Sequence, residues 1–213
     1  MSADTTTAAL IARYDVFVLD AWGVLLDDAG PRAGAAAFVE RLRAAGKTIV
    51  LLSNDASSTP THLAQRMAKV GIRAQEIVSG ATLMVEAIAR HELNGKPCLV
   101  LGTPDAHANV AASGAVPLRP GALRFDAFIL SSESGFTFPD DLDAALTALF
   151  HQLDQRDVPL LLSNPDLFAP TSPSSWGIAA GAVAALIEAV LQQRYPGRGL
   201  HFEQLGKPSQ HAF

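Results

Sequence analysis

The chain has 213 residues, of which 49% are hydrophobic and 17% are charged, a balance typical of folded globular proteins and unlike that of disordered chains. Its formal net charge of -5 argues against a general nucleic-acid or anionic-membrane surface, because either would repel an acidic protein. The single cysteine, Cys98, has no partner for an intramolecular disulfide, and residues 1–7 lack the pattern of a signal peptide. We therefore expect a cytoplasmic protein that binds neither nucleic acid nor membrane.

Short apolar runs alternate with helical patterns along the chain. The apolar runs predict strands at 16–19, 48–52, 98–101, 127–130 and 158–162, the third of which would bury Cys98. Apolar residues at helical spacing predict helices at 33–45, 59–70, 81–92, 140–152 and 177–194. Continuously apolar strands that alternate with such helices are typical of a parallel sheet covered on both faces. The expected fold class is α/β, built from right-handed βαβ units.

Polar residues follow four of the five predicted strands. In parallel α/β sheets, ligands bind beyond the carboxyl ends of the strands, so these residues are the place to look for chemistry. The candidates in chain order are Asp20, the run 53–55, the run 131–134 and the run 163–166. Charged residues in loops are usually solvated, so Arg119, Arg124 and Glu133 are left out of the predicted site.

The stretch 14–25 carries the strongest signal, because its apolar strand delivers the carboxylate of Asp20 to the strand tip. Gly23 permits the chain to turn sharply away and leave this carboxylate accessible. An aspartate in such a place can also simply cap a turn. The residues of this stretch alone leave both interpretations open.

The stretch resembles the first motif of the haloacid dehalogenase (HAD) superfamily, four apolar residues followed by Asp-x-Asp-Gly. The second motif, a strand that ends in Ser or Thr, is matched by Ser53, and the third, a lysine, by Lys207. The Gly-Lys-Pro form at 206–208, together with Asn54 and the run 164–166, is similar to subfamily IIA. This NagD-like branch contains phosphatases of sugar phosphates, nucleotides and phosphoglycolate.

The resemblance implies a Rossmann-like parallel-sheet HAD core with an inserted α/β cap of the C2 type. The core would comprise residues 1–79 and 201–213, and the cap residues 80–200. The family continues past its third motif with a helix, a strand and an acidic fourth motif, which are not present after Lys207. We therefore expect an incomplete core with uncovered apolar surface, explained by a fragment, by a partner subunit such as a second copy, or by a degenerate fold. Of these we favour a fragment, which should bind magnesium poorly and be nearly inactive.

The resemblance also implies a site for phosphoryl transfer from a small phosphorylated metabolite. Asp20 would attack phosphorus and form an aspartyl-phosphate, Ser53 would donate to a phosphoryl oxygen, and Lys207 would neutralise charge. A magnesium ion would be held by Asp20, by the backbone carbonyl of Trp22 and by an acidic residue of the fourth motif. The implied substrate or phosphate contacts are Trp22, Gly23, Ser53, Asn54, Asn164 and Asp166.

Each of these residues also has a structural interpretation. Ser53 and Asn54 could begin the next helix, Lys207 could be a solvated loop lysine, and the run 164–166 is a turn signal on any fold. The three ordered motifs together favour the site.

Trp22 departs from the phosphatase motif, because it occupies the position of the second aspartate, the general acid. An indole cannot transfer that proton, and losing acid/base help costs ~10² to 10⁴ in rate. Asp-Ala-Trp-Gly is also similar to the Asp-Ala-Tyr-Gly of 2-haloacid dehalogenases, whose halide leaving group needs no proton. Whether the chain is an enzyme stays open at this point. A weakened magnesium-dependent phosphatase is the favoured prediction, with a dehalogenase and a non-catalytic ligand-binding or dimerisation protein as alternatives.

Overall fold

Two parallel β-sheets organise the computed structural model, which describes residues 6–27, 30–172 and 174–212. The strands are β1 (Val16–Asp20), β2 (Leu26–Asp27), β3 (Gly30–Pro31), β4 (Thr48–Ser53), β5 (Glu76–Ser79), β6 (Pro97–Leu101), β7 (Val116–Leu118), β8 (Ala127–Leu130), β9 (Leu160–Leu162), β10 (Phe168–Ser172), β11 (Ser175–Ile178) and β12 (Glu203–Gln204). Within the described ranges, the first sheet has the order β1-β4-β5 and the second β12-β9-β8-β6-β7. Neighbouring strands in both are parallel, which confirms the predicted α/β class with Rossmann-like sheets.

Helices alternate with these strands as the sequence predicted. They are α1 (Thr7–Arg13), α2 (Ala35–Ala44), α3 (Pro60–Lys69), α4 (Gly80–Arg90), α5 (Pro104–Ala112), α6 (Asp140–Leu153) and α7 (Ala180–Arg194), followed by a 3₁₀ turn at Gln210–Ala212. The five predicted strands and five predicted helices are confirmed, most of them with shifted ends. The predicted helix 177–194 begins later, at Ala180, because residues 175–178 pair with β10 in an antiparallel hairpin.

The first sheet packs one face against α2 and α3. Phe17 and Leu19 of β1 lie in register with Ile49 and Leu51 of β4, and these side chains join a core cluster. Alternate residues of β1 point to the opposite face, where Val16 and Val18 are each 56% exposed. This exposed apolar surface agrees with the expectation of a partly uncovered core.

The second sheet is covered on both faces. One cluster joins α6 and α7 to the sheet through residues such as Leu149, Ile187 and Phe128, and the other joins α4 and α5 through Met84 and Val110. Cys98 is fully buried in β6, and burial raises the pKa of its thiol to about 11. Its interpretation as a buried strand residue is confirmed.

The division into a core and an inserted cap stays a prediction. The segment after residue 200, which we assigned to the core, contributes β12 to the second sheet through parallel pairing with β9. Glu203 of this strand accepts hydrogen bonds from Arg90 and His91 at the end of α4. In the described part of the chain, no helix combines the length and apolar character needed to cross a membrane.

Candidate active site

A cavity of about 330 Å³ lies where strands of both sheets end. Asp20 ends β1, Ser53 ends β4, Glu133 follows β8 and Asn164 follows β9. The β10–β11 hairpin completes the wall. The lining residues are Asp20, Trp22, Ser53, Asn54, Asp55, Glu133, Asn164, Asp166, Phe168, Ala169, Pro170, Thr171, Gly177, Ile178 and Ala179. The carboxyl ends of the strands therefore meet at one cavity, as the topology rule predicts.

Asp20 and Lys207 form the charged pair at this cavity. Lys207 Nζ donates a hydrogen bond to Asp20 Oδ1 at 2.6 Å, although 187 residues separate them in sequence. The Asp20 side chain is 40% exposed, and its second oxygen, Oδ2, has no hydrogen-bond donor among the described residues. One carboxylate oxygen is thus free to react beside a fixed positive charge.

Asn54 places the backbone of Lys207. Its side-chain oxygen accepts from the Lys207 N–H at 2.7 Å, while its Nδ2 donates to the Lys207 carbonyl at 3.1 Å and to Asp166 Oδ1 at 3.0 Å. Gly206 allows this approach, because a Cβ there would lie 2.6 Å from Asn54 Oδ1 and 2.8 Å from the Ser163 carbonyl. We conclude that Asn54 holds the third motif against the second.

Replacing Asn54 should destabilise the protein. Asn54→Ala removes three hydrogen bonds from a residue that is only 6% exposed and leaves partners unsatisfied, so we expect a loss of about 2 to 4 kcal/mol. Urea unfolding measures this loss. The control Gln193→Ala, at an exposed position of α7, should change the unfolding free energy by about 0.5 kcal/mol or less. An Asn54→Ala loss no larger than the control's would contradict the assignment.

Ser53 presents a hydroxyl at the end of β4. The residue is 3% exposed, and its Oγ accepts from the backbone N–H of Asp55 at 3.1 Å. The hydroxyl proton of Ser53 remains available for an acceptor in the cavity. Asp55 itself is held by Arg66 at 2.7 Å and by the Ser57 hydroxyl at 2.7 Å.

Asn164 and Asp166 form a turn that brings a second-sheet carboxylate to the same cavity. The Asp166 N–H donates to Asn164 Oδ1 at 3.0 Å. Partial burial raises the pKa of the Asp166 carboxyl, a shift that Asn54 and Lys207 oppose and the Asp20 charge reinforces. The Asp166 carboxyl therefore interacts electrostatically with both Asp20 and Lys207.

Known haloacid dehalogenase-like proteins resemble this chain. The family model for haloacid dehalogenase-like hydrolases matches residues 17–116. A solved structure from Cytophaga hutchinsonii, described as a possible sugar phosphatase of the HAD superfamily, superposes with a TM-score of 0.82 at 27% identity, over 98% of this chain and 72% of that chain. Chronophin of Bos taurus is 28% identical over 96% of this chain and 69% of its own length. These comparisons support the predicted resemblance to subfamily IIA of the HAD superfamily.

Two further comparisons concern the fold and the length of the chain. A glycerol phosphate phosphatase from Mycobacterium tuberculosis, crystallised in complex with magnesium, shares the fold at 21% identity and a TM-score of 0.73, over 95% of this chain and 57% of that chain. The chain spans about two thirds of the length of the chronophins that it matches, with 69% and 66% of two of them covered.

Trp22 stands two residues after the HAD motif aspartate and links the first sheet to the hairpin. Its indole N–H donates to the Pro170 carbonyl at 3.1 Å, and the Arg66 guanidinium lies 5.4 Å from its ring centroid. The one polar hydrogen of the indole is therefore already used, so Trp22 cannot act as a proton donor to a leaving group. Gly23 lies beside it with φ of +79°, and a Cβ there would lie 3.4 Å from Pro170 Cγ.

The described residues do not make a complete magnesium site. The resemblance implies two donors, Asp20 and the Trp22 carbonyl, but no group of three His, Cys, Asp or Glu side chains suitable for a metal occurs among these residues. Magnesium prefers six oxygen ligands in octahedral geometry, several of them water and at least one a carboxylate. The acidic ligand expected from a fourth HAD motif has no counterpart in the described part of the chain.

Most predicted site residues lie at the cavity, and Lys207 joins them through its bond to Asp20. Gly23 supports the turn without lining the cavity. Sequence reasoning missed Arg66 and the hairpin, whose signals were weak, and it left out Glu133. Its place in the polar run that follows the predicted strand 127–130 was a reason to keep Glu133 among the candidates.

Proposed function

We propose that the chain carries the active site of a phosphohydrolase that acts on a small phosphorylated metabolite through an aspartyl-phosphate. The observation that carries this proposal is the 2.6 Å bond from Lys207 Nζ to Asp20 Oδ1. Ser53 lines the same cavity with a hydroxyl proton free to donate. A nucleophile and a hydrogen-bond donor therefore line one cavity, and a charge-neutralising group is bonded to the nucleophile.

The reaction would proceed in two displacements at phosphorus. In the first, the free oxygen of Asp20 forms a bond to phosphorus while the bond to the leaving-group oxygen breaks, and that oxygen takes its proton from water. In the second, water attacks phosphorus and its proton neutralises the hydroxide left by the first step, while the bond to Asp20 breaks and inorganic phosphate and the carboxylate are released. Lys207 would offset the charge on the phosphoryl oxygens, and Ser53 would donate to one of them.

The proposed reaction includes a magnesium ion, for which the described residues supply only some of the ligands. When bound in proteins, the ion neutralises charge on a transferring phosphoryl group. Asp20 and the Trp22 carbonyl are the donors that would hold it. We expect the 213-residue chain to bind magnesium weakly and to turn over slowly.

The proposal is tested with 4-nitrophenyl phosphate, whose leaving group needs little protonation. Release of 4-nitrophenol would be measured at micromolar enzyme, with and without magnesium, for the chain and for Asp20→Asn. We expect slow release that disappears in the variant. Release at the same rate in both proteins, or none in a folded chain, would contradict the proposal.

A non-catalytic ligand-binding role is the second candidate, and the locked indole of Trp22 favours it. In that case the folded chain would bind inorganic phosphate, measured by calorimetry, without any Asp20-dependent turnover. Dehalogenation stays a third prediction, tested by halide release from 2-haloacids without added metal. The cytoplasmic location and a homodimer also stay predictions.

A further inference from the structure

We infer that Glu133 forms a subsite for a positively charged leaving group, so that the protein selects phosphate esters of ammonium-bearing alcohols or phenols. This inference rests on the proposed function and names the substrate class of the same site. The charges around the cavity are the first observation that supports it. The acidic residues that line it are Asp20, Asp55, Glu133 and Asp166, whereas the lining contains no Lys, Arg or His among the described residues.

Three of these four carboxylates already have partners within the protein. Asp20 is paired with Lys207 at 2.6 Å, Asp55 with Arg66 at 2.7 Å, and Asp166 accepts from Asn54 at 3.0 Å. These bonds offset the charge or the hydrogen-bonding need of each group. The two ion pairs leave Asp20 and Asp55 little attraction for a further cation, whereas the neutral amide of Asn54 satisfies a hydrogen bond of Asp166 and ties that carboxylate to the wall of the cavity.

Glu133 is different, because its carboxylate has no hydrogen bond or ion pair to any residue in the described ranges. It lies only partly exposed at the end of β8, between two serines that bond to each other. A carboxylate that faces a cavity without a partner attracts a cation from a ligand and repels a ligand carboxylate. This side chain is thus the group in the cavity that a charged substrate would meet.

Glu133 lines the cavity at a different strand end from the two residues that would hold the phosphate. Asp20 and Ser53 come from the first sheet, whereas Glu133 comes from the second sheet and makes no bond to either. A phosphate held by Asp20 and Ser53 would place its leaving group in the remaining part of the cavity, which Glu133 and the hairpin line.

The hairpin gives that leaving group an apolar wall. Phe168 is 60% exposed and Ile178 is 69% exposed, and both line the cavity. The Phe168 ring is held edge-on against Trp176 at a centroid distance of 5.3 Å. An aromatic ring and a free carboxylate that line one cavity suit an organic cation, which gains from both the charge and the ring. The ligand class is a phosphate ester with an apolar body and an ammonium group.

The test uses three aryl phosphates that differ only at the end of a two-carbon side chain. They are the phosphate esters of tyramine, of 4-(2-hydroxyethyl)phenol and of 3-(4-hydroxyphenyl)propionate, which end in ammonium, hydroxyl and carboxylate. Binding would be measured by calorimetry on Asp20→Asn, which cannot form the aspartyl-phosphate and so keeps each ester intact. We expect the ammonium ester to bind about tenfold more tightly than the carboxylate ester, with the hydroxyl ester between them.

Glu133→Gln in the same background should reduce the ratio to about twofold or less, since the amide keeps the shape and removes the charge. Glu86→Gln, at an exposed position of α4 away from the cavity, is the matched control and should leave the ratio unchanged. Equal binding of the three esters, or a ratio that survives Glu133→Gln, would overturn the inference. Asp20-dependent turnover is measured separately with 4-nitrophenyl phosphate, so failure of the proposed function and failure of this subsite give different results.

Discussion

Trp22→Asp is expected to raise the hydrolysis of an alkyl phosphate, such as 2-hydroxyethyl phosphate, by ~10² to 10⁴. The wild-type indole donates its one N–H to the Pro170 carbonyl and offers no proton to a leaving alkoxide. A carboxyl group at residue 22 supplies both a general acid for the first displacement and a general base for the water of the second. The first displacement with 4-nitrophenyl phosphate, measured as the initial burst of 4-nitrophenol, should rise much less, because this leaving group departs without protonation.

The comparison of two substrates separates acid/base chemistry from a change in the hairpin. Trp22→Asp also removes the bond to Pro170 and the contact with Arg66. Trp22→Phe removes the same bond without adding a carboxyl group, and we expect it to give no gain on either substrate. An equal gain in both variants would show that release of the hairpin, and not proton transfer, limits the rate.

Lys207→Ala is expected to lower the hydrolysis of 4-nitrophenyl phosphate by ~10² to 10³, the usual cost of removing one group that stabilises developing charge. The Lys207 ammonium is 2.6 Å from the carboxylate of Asp20 and is the cation nearest to the nucleophile among the described ion pairs. Its removal leaves the phosphoryl oxygens without that positive charge. Steady-state rates at saturating substrate measure the effect.

The matched control for Lys207 is Lys69→Ala, at an exposed position at the end of α3. This change removes the same charge from the protein and should leave the rate within about twofold of wild type. A Lys207→Ala rate as high as the control's would exclude this lysine from the chemistry. Urea unfolding of both variants checks that each is folded.

The strands that the sequence predicted are those whose residues are almost all apolar, because strands buried on both faces show this pattern. β5 and β12 escaped prediction, since each is short and carries polar residues such as Glu76 and Gln204. The N-terminus of α5 did carry a signal, Thr103 before Pro104, which caps the helix through a hydrogen bond to the Ala106 N–H.

The pairing of Asp20 with Lys207 was predictable only through the ordered motifs, since no local pattern links residues 187 positions apart. The roles of Asn54 and Trp22 were not predictable in this way. Asn54 stays a predicted substrate contact, and its amide also holds the backbone of Lys207. Such long-range hydrogen bonds depend on packing of the two sheets, which spacing along the sequence does not encode.

The most direct test of the account is chemical trapping of an aspartyl-phosphate at Asp20. The chain would be incubated with 4-nitrophenyl phosphate, quenched in acid and reduced with borohydride, which converts an acyl phosphate to an alcohol and would leave homoserine in place of the aspartate. Since Trp22 offers no base for the second displacement, the intermediate should persist long enough to be trapped. We predict homoserine at position 20 by peptide mass spectrometry, and none in Lys207→Ala quenched at the same time. An unmodified Asp20 in protein that releases 4-nitrophenol, or homoserine at another aspartate, would contradict the assignment of Asp20 as the nucleophile.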